Sequence, residues 1–138
     1  MPPRPFISTS EFSPFPYEVD FTGFLSNTVA VRWMEQLRVK MMSDHFSDVD
    51  AGDPSNLSVI AKTDVNYLRP IAYGDSIIGS VWVNMVMRSR WEVGFSFISK
   101  INGQQTIVGT QIGAFLSPIS LLPTRVPQSI ADKFKNYC

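Results

Sequence analysis

The chain is poor in the residues that most often mark a catalytic or metal centre. It holds one histidine, His45, and one cysteine, Cys138, in 138 residues. A lone cysteine at the last position excludes an internal disulfide, which fits a reducing compartment. It is also not fourth from the end, so no prenylation box is expected. His45 sits in a polar stretch without a second ligand nearby, and no metal site is expected. Charged residues make up only 17% of the chain, and twelve basic side chains cancel twelve acidic ones. That leaves no electrostatic footprint for nucleic acid or for an acidic membrane surface, although local arginines can still serve a small anion. Long hydrophobic runs are missing: nothing approaches the roughly 20 apolar residues of a membrane span. The opening "MPPRPFISTSEFSPFP" has prolines where a signal peptide would have an apolar run. A Gly-x-Ser-x-Gly elbow is absent, because Ser26 follows Gly23 at the wrong spacing, and glycine-rich phosphate loops are absent too. The expectation is one domain by length, soluble and cytoplasmic.

What remains is a clear change of period along the chain. Residues 1–9 are expected to form an irregular arm, and residues 10–138 a single domain. Residues 10–17 read as a short first strand weakened by Pro14 and Pro16. From 27 to 42 the period is helical, with Ala30, Trp33, Met34, Leu37 and Met41 on one face and Arg32, Gln36 and Lys40 opposite. Ser26 or Asn27 is the expected N-cap. Glu35 and Arg38, three apart on that helix, are expected to form a surface or interface pair. Residues 43–56, "SDHFSDVDAGDPSN", read as a polar loop with turn chemistry at Gly52 and Pro54.

Strands follow. In "LSVIAKTDVNYL" Leu57, Val59, Ala61, Val65 and Tyr67 alternate with more polar neighbours. "YGD" at 73–75 turns the chain into "SIIGSVWVNMVMR", and "WEVGFSF" places Trp91, Val93, Phe95 and Phe97 on one side. Asn102-Gly103 is a two-residue hairpin signal leading into "QTIVGTQIGAFL". A short helix is expected over 127–136. A long amphipathic helix needs a sheet to cover its apolar face, and consecutive hairpins make that sheet antiparallel. The expected class is α+β: an antiparallel sheet of about five strands wrapped around one long central helix.

Three stretches in this order, the Asp-x-x-Gly step of "DFTGFLSNTVAVRWMEQLR", the "RWMEQLR" within it and "LRPIAYGD" between strands, resemble the hot-dog-fold acyl thioesterases of the 4-hydroxybenzoyl-CoA thioesterase group. The resemblance spans roughly residues 12–118. It implies hydrolysis of an acyl-CoA or acyl-carrier-protein thioester to a free acid and a thiol, with no metal or redox cofactor and coenzyme A present only as part of the substrate. It implies that Asp20 is the catalytic carboxylate, acting as general base on water or as nucleophile. The physical logic agrees. A helix N-terminus offers unpaired amides and partial positive charge for a developing oxyanion, and Asp20 lies only a few residues upstream. Gly23 lets the backbone bend between them.

Asn27 is expected to cap the helix, to orient the water or carbonyl, or both. Many relatives carry a histidine where this chain has Phe24, and some carry one in place of Asn27, where the plant-type acyl-carrier thioesterases have asparagine. Asp20 therefore has no imidazole partner, which keeps a non-hydrolytic acyl-thioester-binding protein as the alternative. A dehydratase would need a His/acid pair that a one-histidine chain does not offer near its helix. Basic residues at the strand end of relatives imply that Arg88 and Arg90 in "MRSRW" meet coenzyme A phosphates; the plainer reading is a charged strand end. Arg69 reads as structural or interfacial. Phe24, Trp33, Trp82, Met85 and Met87 are candidates for an apolar acyl pocket, although core packing explains such residues as well. An open sheet edge and an incomplete cleft point to a homodimer or a tetramer of hot-dog dimers.

Overall fold

Eight short elements follow one another in the computed structural model, which describes residues 4–47 and 57–137. They are strand β1 (Ser8–Phe12), a 3-10 turn (Pro16–Glu18), helix α1 (Asn27–His45), strands β2 (Leu57–Tyr67), β3 (Ile77–Val86), β4 (Arg90–Ser99) and β5 (Gln105–Leu116), and helix α2 (Gln128–Tyr137). The turn expected at Gly52 and Pro54, and the terminal Cys138, lie outside the described residues. All pairings are antiparallel, in the order β1-β3-β4-β5-β2. The α+β arrangement expected from the sequence is the one observed. Among the described residues no helix is long and apolar enough to cross a membrane.

The helix period holds. Ala30, Trp33, Met34, Leu37 and Met41 are all buried, while Arg32, Gln36 and Lys40 are exposed. Close approach to the sheet depends on small residues in the strands. A Cβ at Gly79 of β3 would stand 3.1 Å from Leu37 Cδ1, and one at Gly109 of β5 would stand 3.1 Å from Met34 Cε. Trp91, Val93, Phe95 and Phe97 of β4 form the floor beneath the helix, all buried. Trp33 is buried in the core and stacks on Phe12 with ring centroids 4.8 Å apart. The Asn102-Gly103 hairpin is present: Gly103 has φ +70°, and Asn102 Oδ1 accepts the Gln104 amide at 2.9 Å.

Several boundaries differ from the sequence reading, each for a tertiary reason. Strand β1 begins at Ser8, two residues inside what was expected to be an arm, because β3 supplies a ladder for it, and it ends at Phe12, short of the expected Tyr17. The stretch expected to continue the strand instead turns at Pro16, whose fixed φ suits the first position of the 3-10 turn. Helix α1 runs to His45, beyond the expected end at Met42. Its polar last turn is held from outside: Ser8 Oγ donates to Asp44 Oδ2 at 2.8 Å, His45 Nε2 meets the Ile7 carbonyl at 2.9 Å, and Lys133 of α2 donates to the His45 carbonyl at 3.1 Å. Arg38 does not pair with Glu35; it donates to Gln111 Oε1, and burial lowers its pKa against the opposing pull of Glu35.

The largest topological difference concerns β2. Hairpins join β3, β4 and β5, but β2 lies at the far edge beside β5, so residues 68–76 form a crossover. The alternation of β2 is not matched by burial, since nearly every residue in it is exposed. Within one chain it has a neighbour on one edge only, and its outer edge is open to pairing.

Candidate functional site

The chain between the 3-10 turn and α1 folds into a small hairpin that presents Asp20. Val19 pairs with Leu25, and Phe24 with Ala72. At its tip the Asp20 amide donates to the Phe24 carbonyl at 2.9 Å and the Gly23 amide to the Asp20 carbonyl at 3.0 Å. Gly23 has φ +84°, and a Cβ there would meet nothing within 4 Å, so the backbone conformation rather than space calls for glycine. Within the turn Asp20 Oδ1 accepts both the Thr22 hydroxyl and, at 2.9 Å, the Thr22 amide. Oδ2 takes neither bond. The Thr22 hydroxyl, and then its amide, hold the carboxyl below the usual carboxylate range, so Asp20 is ionised at neutral pH.

The first turn of α1 stands beside it. Ser26 is the N-cap, with an extended backbone and no side-chain capping bond; its hydroxyl pairs with that of Thr28 at 2.9 Å. Asn27 is thus the first helical residue, and the cap falls to the other expected candidate. The opening amides of an α-helix have no intrahelical acceptor, and they carry the positive end of its dipole. No acidic residue in the first turn of α1 competes for that end. The Asn27 carbonyl receives a bond from Tyr67 Oη at 2.9 Å.

Between these parts lies an open cleft of about 320 Å³. One wall carries Asp20, Thr22, Phe24, Ser26 and Asn27; the other is residues 67–71 with Ile107 of β5. Of the residues singled out from sequence, Asp20, Phe24 and Asn27 come together, with Gly23 shaping the turn beneath them. Phe24, 41% exposed, is the one pocket candidate that lines the cleft. Trp82 lies on the other side of the sheet under the Arg4 guanidinium, 4.0 Å from its ring centroid, and Met85 and Met87 are exposed. Arg88 and Arg90 flank the β3–β4 hairpin. Arg90 pairs with Ala114, whereas Phe97 pairs with the cleft residue Ile107. Seven residues of strand, roughly 23 Å, separate these positions within one chain.

Sequence reading missed several contributors, Ile107 of β5 among them. Thr22, two residues after Asp20, carries an Asx-turn signal that was available. Tyr67 and Ile71 belong to "YLRPI", a stretch noticed but not assigned to the site. Arg69, read as structural or interfacial, lines the cleft, and its amide donates to the Thr106 carbonyl at 3.0 Å. A second acid, Glu18, precedes Asp20 by two residues; it is buried, and its Oε1 accepts the Phe15 amide at 2.8 Å, a local capping role.

The sequence profile of the Thioesterase-like superfamily matches residues 15–134. The chain is similar in structure to a DHNA-CoA thioesterase from Staphylococcus aureus, 19% identical with a TM-score of 0.80, covering 95% of this chain and 88% of that one. It is similar to a 1,4-dihydroxy-2-naphthoyl-CoA thioesterase from Synechocystis, 9% identical with a TM-score of 0.83, covering 94% and 96%. A thioesterase from Thermus thermophilus, complexed with coenzyme A and Zn, is 22% identical with a TM-score of 0.77, covering 93% and 92%. No curated protein matches the chain. At these identities the structural likeness is one of fold, the hot-dog fold. The profile match takes in the Asp20 turn, α1 and strands β2 to β5, and by it this chain belongs to the Thioesterase-like superfamily.

Proposed function

We propose that this protein hydrolyses an acyl thioester, carried by coenzyme A or an acyl carrier protein, with Asp20 as the catalytic carboxylate. The observation that supports the reading is one shared cleft: the ionised Asp20 carboxylate and, at the mouth of α1, Ser26 and Asn27 line the same 320 Å³. Oδ2 of Asp20 takes a proton from a water as its oxygen adds to the thioester carbon, or attacks that carbon itself to give an anhydride that water then opens. In both routes the oxyanion collects beside the helix amides. The C–S bond breaks as the carbonyl re-forms, and the thiolate leaves to be protonated. Phe24, Leu25 and Ile71 offer an apolar wall to the acyl group. Within the superfamily, the motif order favours the 4-hydroxybenzoyl-CoA thioesterase group.

A non-hydrolytic acyl-thioester binder is the second reading. It draws on the same turn, because the Thr22 bonds that orient Asp20 also make it a weaker base, and no imidazole lines the cleft. Turnover against a panel of acyl-CoA and acyl-carrier-protein thioesters separates the two. Release of thiol from at least one carrier supports the hydrolase; saturable binding without release supports the binder.

The chain is proposed to act as at least a dimer, either alone or as a tetramer of dimers. The open edge of β2 and the exposure of the cleft mouth, where Phe21 is 100% exposed, favour a partner there. Across such an assembly Arg88 and Arg90 would serve the carrier's phosphates. Replacing both with alanine is expected to raise KM for a CoA thioester about tenfold with kcat nearly unchanged, and to do much less with a short thiol carrier lacking the nucleotide. Equal losses on both substrates would assign the pair a structural role instead.

A further inference from the structure

Tyr67 ends β2 and faces the cleft, and its hydroxyl makes a bond that the helix does not need. Tyr67 Oη donates at 2.9 Å to the carbonyl of Asn27, which lies forty residues away in sequence. A carbonyl in the first turn of an α-helix already accepts the amide four residues further on, so the tyrosine occupies its second lone pair. No orphaned acceptor is rescued. The consequence falls on the other end of the same peptide unit, whose N–H belongs to Thr28. A hydrogen bond accepted by the carbonyl polarises the peptide and makes its N–H a stronger donor. That N–H is one of the opening amides without an intrahelical partner.

The bond also ties two walls of the cleft together. The end of β2 is firmly held: Tyr67 pairs with Ile107, and the amides of Leu68 and Arg69 both donate to the Thr106 carbonyl, at 2.8 and 3.0 Å. Through Tyr67 that anchored strand end reaches the first turn of α1. Partial burial raises the phenol's pKa, so the hydroxyl keeps its proton for donation. Building on the thioesterase reading above, we propose that Tyr67 is a positioning residue: through the carbonyl of Asn27, itself a cleft residue, it fixes the first peptide of α1 and strengthens that peptide's N–H, which belongs to Thr28, as a donor toward the oxyanion.

Tyr67→Phe keeps the ring and removes only the hydroxyl. It is expected to lower kcat about five- to tenfold while KM moves less than about twofold. A trifluoromethyl ketone analogue of the substrate, which presents an oxyanion at the same point, should lose affinity by the same factor. A thioether analogue without the carbonyl should bind as before. Tyr73→Phe, at an exposed tyrosine outside the cleft lining, serves as the unchanged control. Unchanged kcat, a rise in KM alone, or equal weakening of both analogues would overturn the proposal. Failure of the wild-type protein to cleave any thioester would sink the functional reading instead. The positioning is then decided by the Thr28 amide proton in NMR spectra, which should shift in Tyr67→Phe; an unmoved resonance would overturn it.

Discussion

Asp20→Asn is expected to lower kcat by at least about 10²-fold, the low end for general-base catalysis, while leaving the melting temperature nearly intact. Asparagine keeps the size of the side chain and an Oδ1 that still accepts from the Thr22 amide and hydroxyl. What it removes is the charge, and with it both basicity and nucleophilicity at Oδ2. Asp20 is exposed, so the fold has little stake in its charge. A mere turn-forming acid would behave in the opposite way, with turnover spared. The pH profile gives an independent reading. Thr22 depresses the carboxyl, so the charged form persists as pH falls, and the acid limb of kcat belongs below the usual carboxylate range. Near-normal hydrolysis by a well-folded Asp20→Asn protein would remove this carboxylate from the chemistry.

The parts legible in the sequence are those whose determinants are local. The buried face of α1 follows from the spacing of Ala30, Trp33, Met34, Leu37 and Met41, and the inward face of β4 from strict alternation at Trp91, Val93, Phe95 and Phe97. Asp20, Gly23, Phe24 and Asn27 could be grouped because they lie within a few residues of one another. The last turn of α1 could not be read, since "SDH" carries no apolar signal and is held by Ile7, Ser8 and Lys133. Nor could the place of β2. Adjacent strands suggest a hairpin, yet β2 pairs with β5, and no local signal encodes that choice. The far wall of the cleft was hidden for the same reason: Tyr67, Arg69 and Ile107 reach Asp20 only through the crossover and the β2–β5 ladder.

That ladder depends on Gly109, and adding one methyl there is expected to destabilise the fold by about 1–3 kcal/mol. Gly109 sits between Val65 of β2 and Phe95 of β4 in register, on the side that faces the helix. A Cβ at this position would stand 2.6 Å from the Asp64 carbonyl oxygen as well as 3.1 Å from Met34 Cε. Met34 is an unbranched side chain able to shift its tip, but Asp64 O is backbone and has no rotamer to change. Relief therefore requires β2 to move against β5. At Gly79 the neighbours within 3.0 Å are the side chains of Phe12 and Phe97, so the strain there would fall on ring packing in the core. Movement of β2 carries Tyr67 with it, only two residues beyond Val65, and stretches its bond to Asn27. Gly109→Ala should thus lower the thermal midpoint by about 5–10 °C and also reduce kcat at temperatures where the variant is fully folded. A lowered midpoint with full activity would mean that strain at Gly109 is absorbed before it reaches the end of β2. An unchanged midpoint would mean that the edge strand yields freely, and that its register does not hold the far wall of the cleft.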